Sequence, residues 1–314
     1  MTTERPSAYF LPSVNTADQQ EVLKRIELCG RVCYKSEDKI TPDSAETFVK
    51  SLIQRGHESV LEHVDYIVRC DLTTYQEMSN AINALEESGI PVLLRRTVNK
   101  PLDRCLVSGN VRMWRDFMRG LSSCEFVVIP RVLGLFSGVL FQDVQVSPKH
   151  SPKGCTLLQK EDLLPGTETL THATETAYII TDRGVSHELV RHRMASFSQE
   201  STRYCKYADQ MAFLEPPFWE KDSPEYGLWL LSAQSTESLY SHLTETYKAK
   251  PQEARSILNH SLRTSLYMTA NLRQWQHFFR LRTDHAAHPQ MRQVACHLAW
   301  EAEPLHPGLW SCVP

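Results

Sequence analysis

The chain carries an unusual run of basic side chains, followed at a fixed distance by hydroxyl and further basic groups. Arg191, His192 and Arg193 are consecutive, and Ser201 follows after seven intervening residues. An arginine is rarely buried unless it is paired, and its planar guanidinium group suits phosphates and the polar edges of flat rings. We therefore interpret residues 191–204 as a site for a small anion or a specific partner. The alternative is a solvated basic helix end, the usual role of a charge run.

The histidine spacing does not favour a metal site. His187, Glu188 and His192 nearly reproduce the order of zinc-protease helices, in which the two histidines are four residues apart and share a face. Here they are five apart, which separates them by about 140° on a helix with 3.6 residues per turn. The sequence also has no Cys-x-x-Cys pair, so we expect no zinc or other metal site.

The glycine content argues against a classical dinucleotide fold. No Gly-x-Gly-x-x-Gly segment occurs, and the chain has only 12 glycines. A Rossmann unit is therefore not expected. If the chain binds a flavin, polar side chains must hold it.

Composition limits the class of protein. The 314 residues are 41% hydrophobic and 23% charged, as in ordinary globular proteins. A net charge of −3 argues against a nucleic-acid partner, which normally requires a basic excess. The odd number of cysteines, nine, favours thiols in a reducing compartment. We find no signal peptide and no apolar run long enough to span a bilayer, so we expect a cytoplasmic protein without a membrane partner.

Hydrophobic periodicity predicts both helices and strands. Strands are expected at 64–69 and 175–181, and a helix at 185–193 carries the basic run. The stretch 71–175 is punctuated by prolines, and only 109–117 is interpreted, as a turn that opens a helix. The other predicted helices cover 18–34, 44–55, 226–248, 251–268, 270–283 and 288–303, with Pro251 and Pro289 in first turns.

Several motifs together resemble those of the flavin-dependent thymidylate synthases, the ThyX family. The basic run 191–193 with Ser201 is similar to the family's RHR-(seven residues)-Ser signature. The segments 31–34 (RVCY) and 56–63 (GHESVLEH) resemble two early family elements. The segment 271–282 resembles the family's Asn-Ala-Arg…Leu-Arg helix, and Ala254-Arg255 resembles an Ala-Arg pair upstream of that helix. The resemblance covers about 20–69 and 175–295.

The resemblance implies an α/β fold in which a mixed sheet is flanked by long helices, without a Rossmann unit. It implies one catalytic domain over 1–314 with an insertion at about 71–175, because compact members run almost directly from the strand near residue 70 to the RHR helix. Within the insertion, residues 112–115 (RMWR) are either a folate or partner contact or, as we favour, part of a structural insertion.

The resemblance also implies roles for individual residues. Arg282, His57 and Ser201 belong to the catalytic group, where Arg282 stabilises negative charge on a uracil ring and Ser201 is a phosphate or substrate ligand. Taken alone, His57 has a second interpretation as a helix-capping histidine. The implied FAD ligands are His57, Ser59, Arg191, His192, Arg193, Gln199, Asn271, Arg273 and His277. The implied nucleotide ligands are Glu188, Arg191, Gln199, Ser201, Thr202, Arg203, Arg255 and Arg282.

The sequence departs from the family pattern at three nearby positions. Glu188 stands where many members have Gln, and Gln199 stands where many have Glu. Ser198 replaces a frequent Asn. We interpret the first two changes as an exchange of an acid and an amide.

The implied function is a homotetrameric methyltransferase that converts dUMP to dTMP. Methylenetetrahydrofolate supplies the carbon, NADPH reduces the FAD, and no cysteine nucleophile is required. One alternative is a relative that methylates UMP or another pyrimidine nucleotide in a modified-nucleoside pathway. Another is a non-catalytic nucleotide- or nucleic-acid-binding protein, against which the net charge and the intact motif set argue.

Overall fold

The chain forms two compact units. The computed structural model describes residues 1–123, 135–136, 138–144, 155–207, 211–308 and 310. The first unit comprises Met1–Pro12, Gly30–Asp38 and Glu175–Pro314, and the second comprises Ser13–Cys29 and Lys39–Thr174. Sheets and helices occur in both units, which confirms the predicted α/β class. The single domain with an insertion at about 71–175 stays a prediction.

The first unit is built on a four-stranded sheet with the order β2-β7-β10-β8. Strands β2 and β7 are antiparallel, as are β8 and β10. The N-terminal strand β1 pairs in parallel with β9 in a separate two-stranded sheet. The strands are β1 (Thr2–Glu4), β2 (Ser7–Phe10), β7 (Thr174–Asp182), β8 (Ser196–Gln199), β9 (Ala212–Leu214) and β10 (Arg263–Asn271).

The helices of the first unit begin at clear capping signals. The side chains of Asp182, Ser223 and Asn271 each accept a hydrogen bond from a backbone N–H in the first turn of the helix that follows. Pro251 and Pro289 lie in first turns as predicted. The helices are α6 (Arg183–Leu189), α7 (Pro224–Ser241), α8 (Pro251–Ala254), α9 (Leu272–Arg282) and α10 (Pro289–Ala302).

One predicted helix of this unit is wrong. The range 251–268 contains only the short α8, a 3₁₀ turn (Arg255–Ile257) and most of β10. Strand β10 is buried at every position after Arg263. A strand buried on both faces shows no apolar–polar alternation, so periodicity cannot distinguish it from a buried helix.

The second unit contains an antiparallel sheet with the order β4-β5-β3-β6. Much of the stretch 71–175 is therefore regular structure. Residues 109–110, predicted as a turn, end a strand, and a helix begins directly after them at Val111. The strands are β3 (Asp65–Cys70), β4 (Arg95–Asn99), β5 (Arg104–Asn110) and β6 (Cys155–Leu158). The helices are α1 (Gln19–Val32, which ends in the first unit), α2 (Ser44–Gln54), α3 (Leu72–Glu87), α4 (Val111–Ser123) and α5 (Thr167–His172).

Helix α4 packs against the rest of the second unit through large buried apolar side chains. Trp114 and Phe117 are fully buried, and the Trp114 ring lies 4.7 Å from that of Phe136. Fully burying a large apolar side chain contributes about 1.5–3 kcal/mol.

Throughout the described residues, no helix combines the length and apolar character that a membrane span requires.

A buried histidine links three strands and a helix of the second unit. His172 lies 2.7 Å through Nδ1 from Ser108 Oγ and 2.7 Å through Nε2 from Thr97 Oγ1. Arg95 Nε donates to Ser108 Oγ at 3.1 Å and its guanidinium group pairs with Asp65. Ser108 Oγ therefore bridges the guanidinium group of Arg95 and the imidazole ring of His172. Burial, followed by the charge of Arg95, lowers the pKa of His172 to about 3.

We expect His172 to make the stability of the protein depend on pH. Its folded-state pKa lies below the unfolded value of about 6.5, so the stability from the neutral imidazole is present above about pH 6.5 and is lost as the pH falls. In His172→Asn, the loss of unfolding free energy should be about 1 kcal/mol smaller at about pH 5.5 than at about pH 7.5. Denaturant titrations at the two pH values measure this difference.

Thr97→Val is the matched control for this prediction. It removes one hydrogen bond of His172 but keeps the imidazole, so it should destabilise the protein and retain the wild-type pH dependence. An equal loss for His172→Asn at both pH values would contradict the prediction.

Candidate functional site

The basic run lies in a turn and not on a helix. Helix α6 ends at Leu189, so the helix predicted to Arg193 is shorter than expected. The backbone N–H groups of Arg191 and His192 bond to carbonyls only three residues back, at 3.3 and 3.1 Å. Such bonds tighten and end an α-helix. Arg191 and Arg193 are exposed between α6 and β8, and His192 is half-buried.

Arg282 joins two of the predicted site residues across ninety positions of sequence. It is the last residue of α9, and its Nε donates to His192 Nε2 at 3.0 Å. One terminal nitrogen donates to Glu188 Oε2 at 2.9 Å, and the other donates to the Glu188 carbonyl at 3.4 Å. The Arg282 side chain is 22% exposed, so part of it faces solvent.

The contact with Arg282 fixes the protonation of His192. A guanidinium group has donors and no acceptor, so His192 Nε2 must accept and the proton of the neutral ring lies on Nδ1. Burial lowers the pKa of His192 to about 4, with further lowering by Arg282 and His277. At neutral pH His192 is therefore an uncharged acceptor that orients Arg282.

Helix α9 presents a second polar group on its exposed face. Arg273 and His277 border a concave region of about 440 Å³ together with Gln274, Gln276 and Arg280. Arg280 donates to His277 Nδ1 at 3.3 Å. The sequence analysis did not include Arg280, although it lies three residues after His277 and therefore shares its face of the helix.

Asn271 has a structural role that accompanies its predicted one. Its Oδ1 accepts a hydrogen bond from the Gln274 N–H at 2.9 Å and caps α9. Capping fixes where the helix begins and so determines which way Arg273 and His277 point.

The exchanged acid and amide bind different partners. Glu188 pairs with Arg282, whereas Gln199 Nε2 donates to Ser186 Oγ at 2.9 Å and to Thr264 Oγ1 at 3.1 Å. Sequence reasoning missed Ser186 and Thr264. Thr264 lies on β10, whose strand signal was misassigned as helix.

The predicted phosphate ligands have local contacts. The Ser201 N–H donates to the Cys33 carbonyl at 3.2 Å, and its Oγ accepts from the Arg203 N–H at 3.3 Å. The Arg203 guanidinium group lies 5.4 Å from the centroid of the Tyr204 ring. Arg203 and Arg255 are exposed, while Thr202 is buried. Within the described ranges, these contacts do not join the phosphate ligands to Arg282.

His57 and Ser59 belong to the second unit. His57 directly precedes a 3₁₀ turn (Glu58–His63) and makes no capping hydrogen bond through its side chain. Both side chains are exposed. The described residues also include no cluster of three or more His, Cys, Asp or Glu side chains that could hold a metal ion.

We expect Arg282→Gln to raise the pKa of His192 above about 4. The substitution removes a positive charge that disfavours the imidazolium form, while burial continues to lower the value. NMR titration of the His192 ring measures the shift. Arg203→Gln, which changes an arginine outside this group, should leave it unaltered. A pKa that stays at its wild-type value in Arg282→Gln would show that burial alone sets it.

Comparison with known proteins identifies the family. The family model for the thymidylate synthase complementing protein matches residues 16–83 and 165–308, which is more than half of the chain. The intervening residues 84–164 lie outside the match.

The matches to individual relatives span only part of each relative. The chain is 39% identical over 118 residues to a flavin-dependent thymidylate synthase of Thermococcus onnurineus, covering 36% of this chain and 47% of the relative. It is 33% identical over 141 residues to the enzyme of that name from Corynebacterium aurimucosum, covering 40% and 56%. The chain thus spans about half the length of these relatives.

A solved structure is also similar in part. The ThyX of Helicobacter pylori, complexed with FAD and dUMP, is 24% identical with a TM-score of 0.39, covering 45% of this chain and 73% of that one. From the match of the family model over most of its length, the chain belongs to the thymidylate synthase complementing protein family.

Proposed function

We propose that the protein is a flavin-dependent thymidylate synthase that methylates dUMP at C5 to give dTMP. The observation that carries the proposal is the Arg282 guanidinium group, held between Glu188 and the neutral His192 on a side chain that is partly exposed. An oriented cation of this kind stabilises negative charge that develops on a uracil ring. Family membership and the function named for the relatives support the same activity.

The residues present suit FAD. Arg191, Arg193 and Arg273 are exposed guanidinium donors, and arginines bind diphosphates and the polar edges of flat rings well. The concave region on α9 adds amides and an imidazole. Bound FAD would supply the hydride that completes the methyl group. The proposed FAD ligands are His57, Ser59, Arg191, His192, Arg193, Gln199, Asn271, Arg273 and His277.

The nucleotide would be held by two groups of side chains. Arg282 and Glu188 are assigned to the uracil ring, with Arg282 as the electrostatic catalyst. Ser201, Thr202, Arg203 and Arg255, with Arg191 and Gln199, are assigned to the ribose phosphate, because guanidinium and hydroxyl groups match a doubly charged anion. Ser201 then binds substrate and does not attack it.

The remaining parts of the proposal concern co-substrates and assembly. Methylenetetrahydrofolate would donate the carbon and NADPH would reduce the FAD. The proposed assembly is a homotetramer, as the family resemblance implies. A cytoplasmic location, where reduced folate and NADPH are supplied, belongs to the same proposal.

The purified protein tests this function directly. We expect flavin absorbance that NADPH bleaches, and dTMP formation from dUMP and methylenetetrahydrofolate. Supplying UMP in parallel separates the two methylation reactions. Product from UMP alone would replace thymidylate synthesis by the alternative methylase, and a colourless, inactive protein would overturn both.

We expect the double variant Arg191→Ala, Arg193→Ala to lose most of its FAD affinity. Each removed guanidinium group eliminates a hydrogen bond to a charged group, and two such losses weaken binding by about a hundredfold or more. Flavin fluorescence quenching measures the dissociation constant. Arg69→Ala removes an exposed arginine of β3 and is the control. Equal flavin content in the double variant and the control would exclude the assigned role of the basic run.

We expect Cys205→Ala to retain most of the activity. Cys205 is buried, and burial acts foremost to raise the pKa of its thiol to about 11. A thiol with this pKa is protonated near neutral pH and is a poor nucleophile. Turnover and thermal unfolding should be compared, because the substitution also removes buried volume. A loss of several decades in turnover by a folded variant would refute chemistry without a cysteine nucleophile.

A further inference from the structure

Helix α4 carries three arginines on one face. Arg112, Arg115 and Arg119 are separated by three and then four residues, a spacing that places side chains in a row along a helix. They form what we call the arginine row. Helix α4 lies within residues 84–164, the stretch outside the family match.

Two members of the arginine row donate hydrogen bonds to the carboxylate of Glu58. Arg115 reaches Glu58 with Nε at 3.4 Å and a terminal nitrogen at 3.0 Å. Both terminal nitrogens of Arg119 also donate to Glu58, one of them at 2.8 Å. Each oxygen of the Glu58 carboxylate therefore accepts from both arginines. Although burial acts to raise it, the bonds from Arg119 and Arg115 lower the pKa of Glu58 to about 2.

Arg115 is held in place by partners other than Glu58. Its side chain is fully buried, and it also bonds to both carboxylate oxygens of Asp143 at 2.8 and 2.7 Å and to the Leu140 carbonyl. A guanidinium group has five N–H donors in a rigid plane, and these partners fix that plane. Arg115 therefore presents a stationary surface to Glu58.

The third member of the row binds the same turn. Arg112 donates to Glu62 at 2.7 Å, and Glu62 lies four residues after Glu58 in the turn Glu58–His63. Both acidic residues of this turn are thus paired with α4.

The chain is equally constrained on the other side of the turn. Gly56 follows α2 with a φ of +72°, a conformation that favours glycine. The His57 N–H bonds to the Leu52 carbonyl at 2.9 Å, and the Gly56 N–H bonds to the Ile53 carbonyl at 3.0 Å. This pair of bonds is the Schellman arrangement, which fixes the chain where it leaves a helix.

His57 and Ser59 flank Glu58 and are exposed, whereas the Glu58 side chain is directed into the unit, where 11% of it is exposed. We propose that α4 is a positioning element for the cofactor site, and that it fixes His57 and Ser59 by holding Glu58 between Arg115 and Arg119. The ligand-binding part of this inference rests on the proposed function. The residues outside the family match would then complete a motif that lies inside it.

Arg119 is the residue to substitute. Loss of Arg115 would leave carboxylates uncompensated beside a buried gap and could unfold the unit, whereas Arg119 is 40% exposed. The control is Arg104→Ala, because Arg104 forms a similar two-bond pair with Glu168 in the same unit, at 3.3 and 3.1 Å, away from the turn. Arg119→Lys keeps a positive charge beside Glu58. Glu58→Gln removes the negative charge that the two arginines bind.

Hydrogen exchange provides a test that needs no flavin. In Arg119→Ala and Glu58→Gln, amides of residues 56–63 should exchange about tenfold faster, because local opening costs less free energy. Arg104→Ala should leave this segment at the wild-type rate, and Arg119→Lys should restore most of the protection. Unchanged exchange in both Arg119→Ala and Glu58→Gln would overturn the proposal.

FAD affinity then separates this inference from the proposed function. If the wild type binds FAD, Arg119→Ala should bind it about tenfold more weakly, because His57 and Ser59 must then be ordered at the cost of binding free energy, while Arg104→Ala should bind it normally. Equal affinities of wild type and Arg119→Ala would overturn the positioning role. If the wild type binds no FAD, the proposed function fails, and hydrogen exchange alone decides whether α4 fixes the turn.

Discussion

The candidate site depends on one guanidinium group that has three acceptors. Arg282 can only donate, so its bonds to His192 and Glu188 determine the tautomer of the first and neutralise the charge of the second. Helix α9 must end where it does for this arrangement to form, and its start is fixed by the Asn271 cap. Strand β10, buried along its length, leads directly into that cap. The position of the cation thus follows from backbone constraints far from its own side chain.

Two pairs of arginines in this chain differ in their partners and in their exposure. Arg115 and Arg282 are held by carboxylates and act by orienting what they touch. Arg191 and Arg193 are exposed in a turn whose conformation is set by the end of α6. An exposed guanidinium group gains little from a surface ion pair but gains more from a bidentate phosphate. This difference is why the exposed pair, Arg191 and Arg193, is the one proposed to bind the cofactor.

Sequence reasoning reached several residues of the candidate site but missed part of the backbone that carries them. Residue type and spacing singled out the RHR run, whereas the family resemblance implied Glu188 and Arg282. The structure places Glu188 and His192 on Arg282. Strand β10 was missed because a strand buried on both faces loses its alternation, and Thr264 was missed with it. The partners of Glu58 were also missed, because Arg115 and Arg119 lie about sixty residues away in sequence and only folding brings them to it.

The division of the chain into nested segments has a consequence for its synthesis. Strands β1 and β2 occupy the first ten residues, yet they pair with β9 and β7, which begin at Ala212 and Thr174. The whole second unit is translated between these partners. Since domains fold as units while the ribosome proceeds from the N-terminus, the second unit can fold first while β1 and β2 wait with unpaired edges. Unpaired strand edges recruit other chains, so β1 and β2 stay open to pairing with other chains until β7 and β9 have been made.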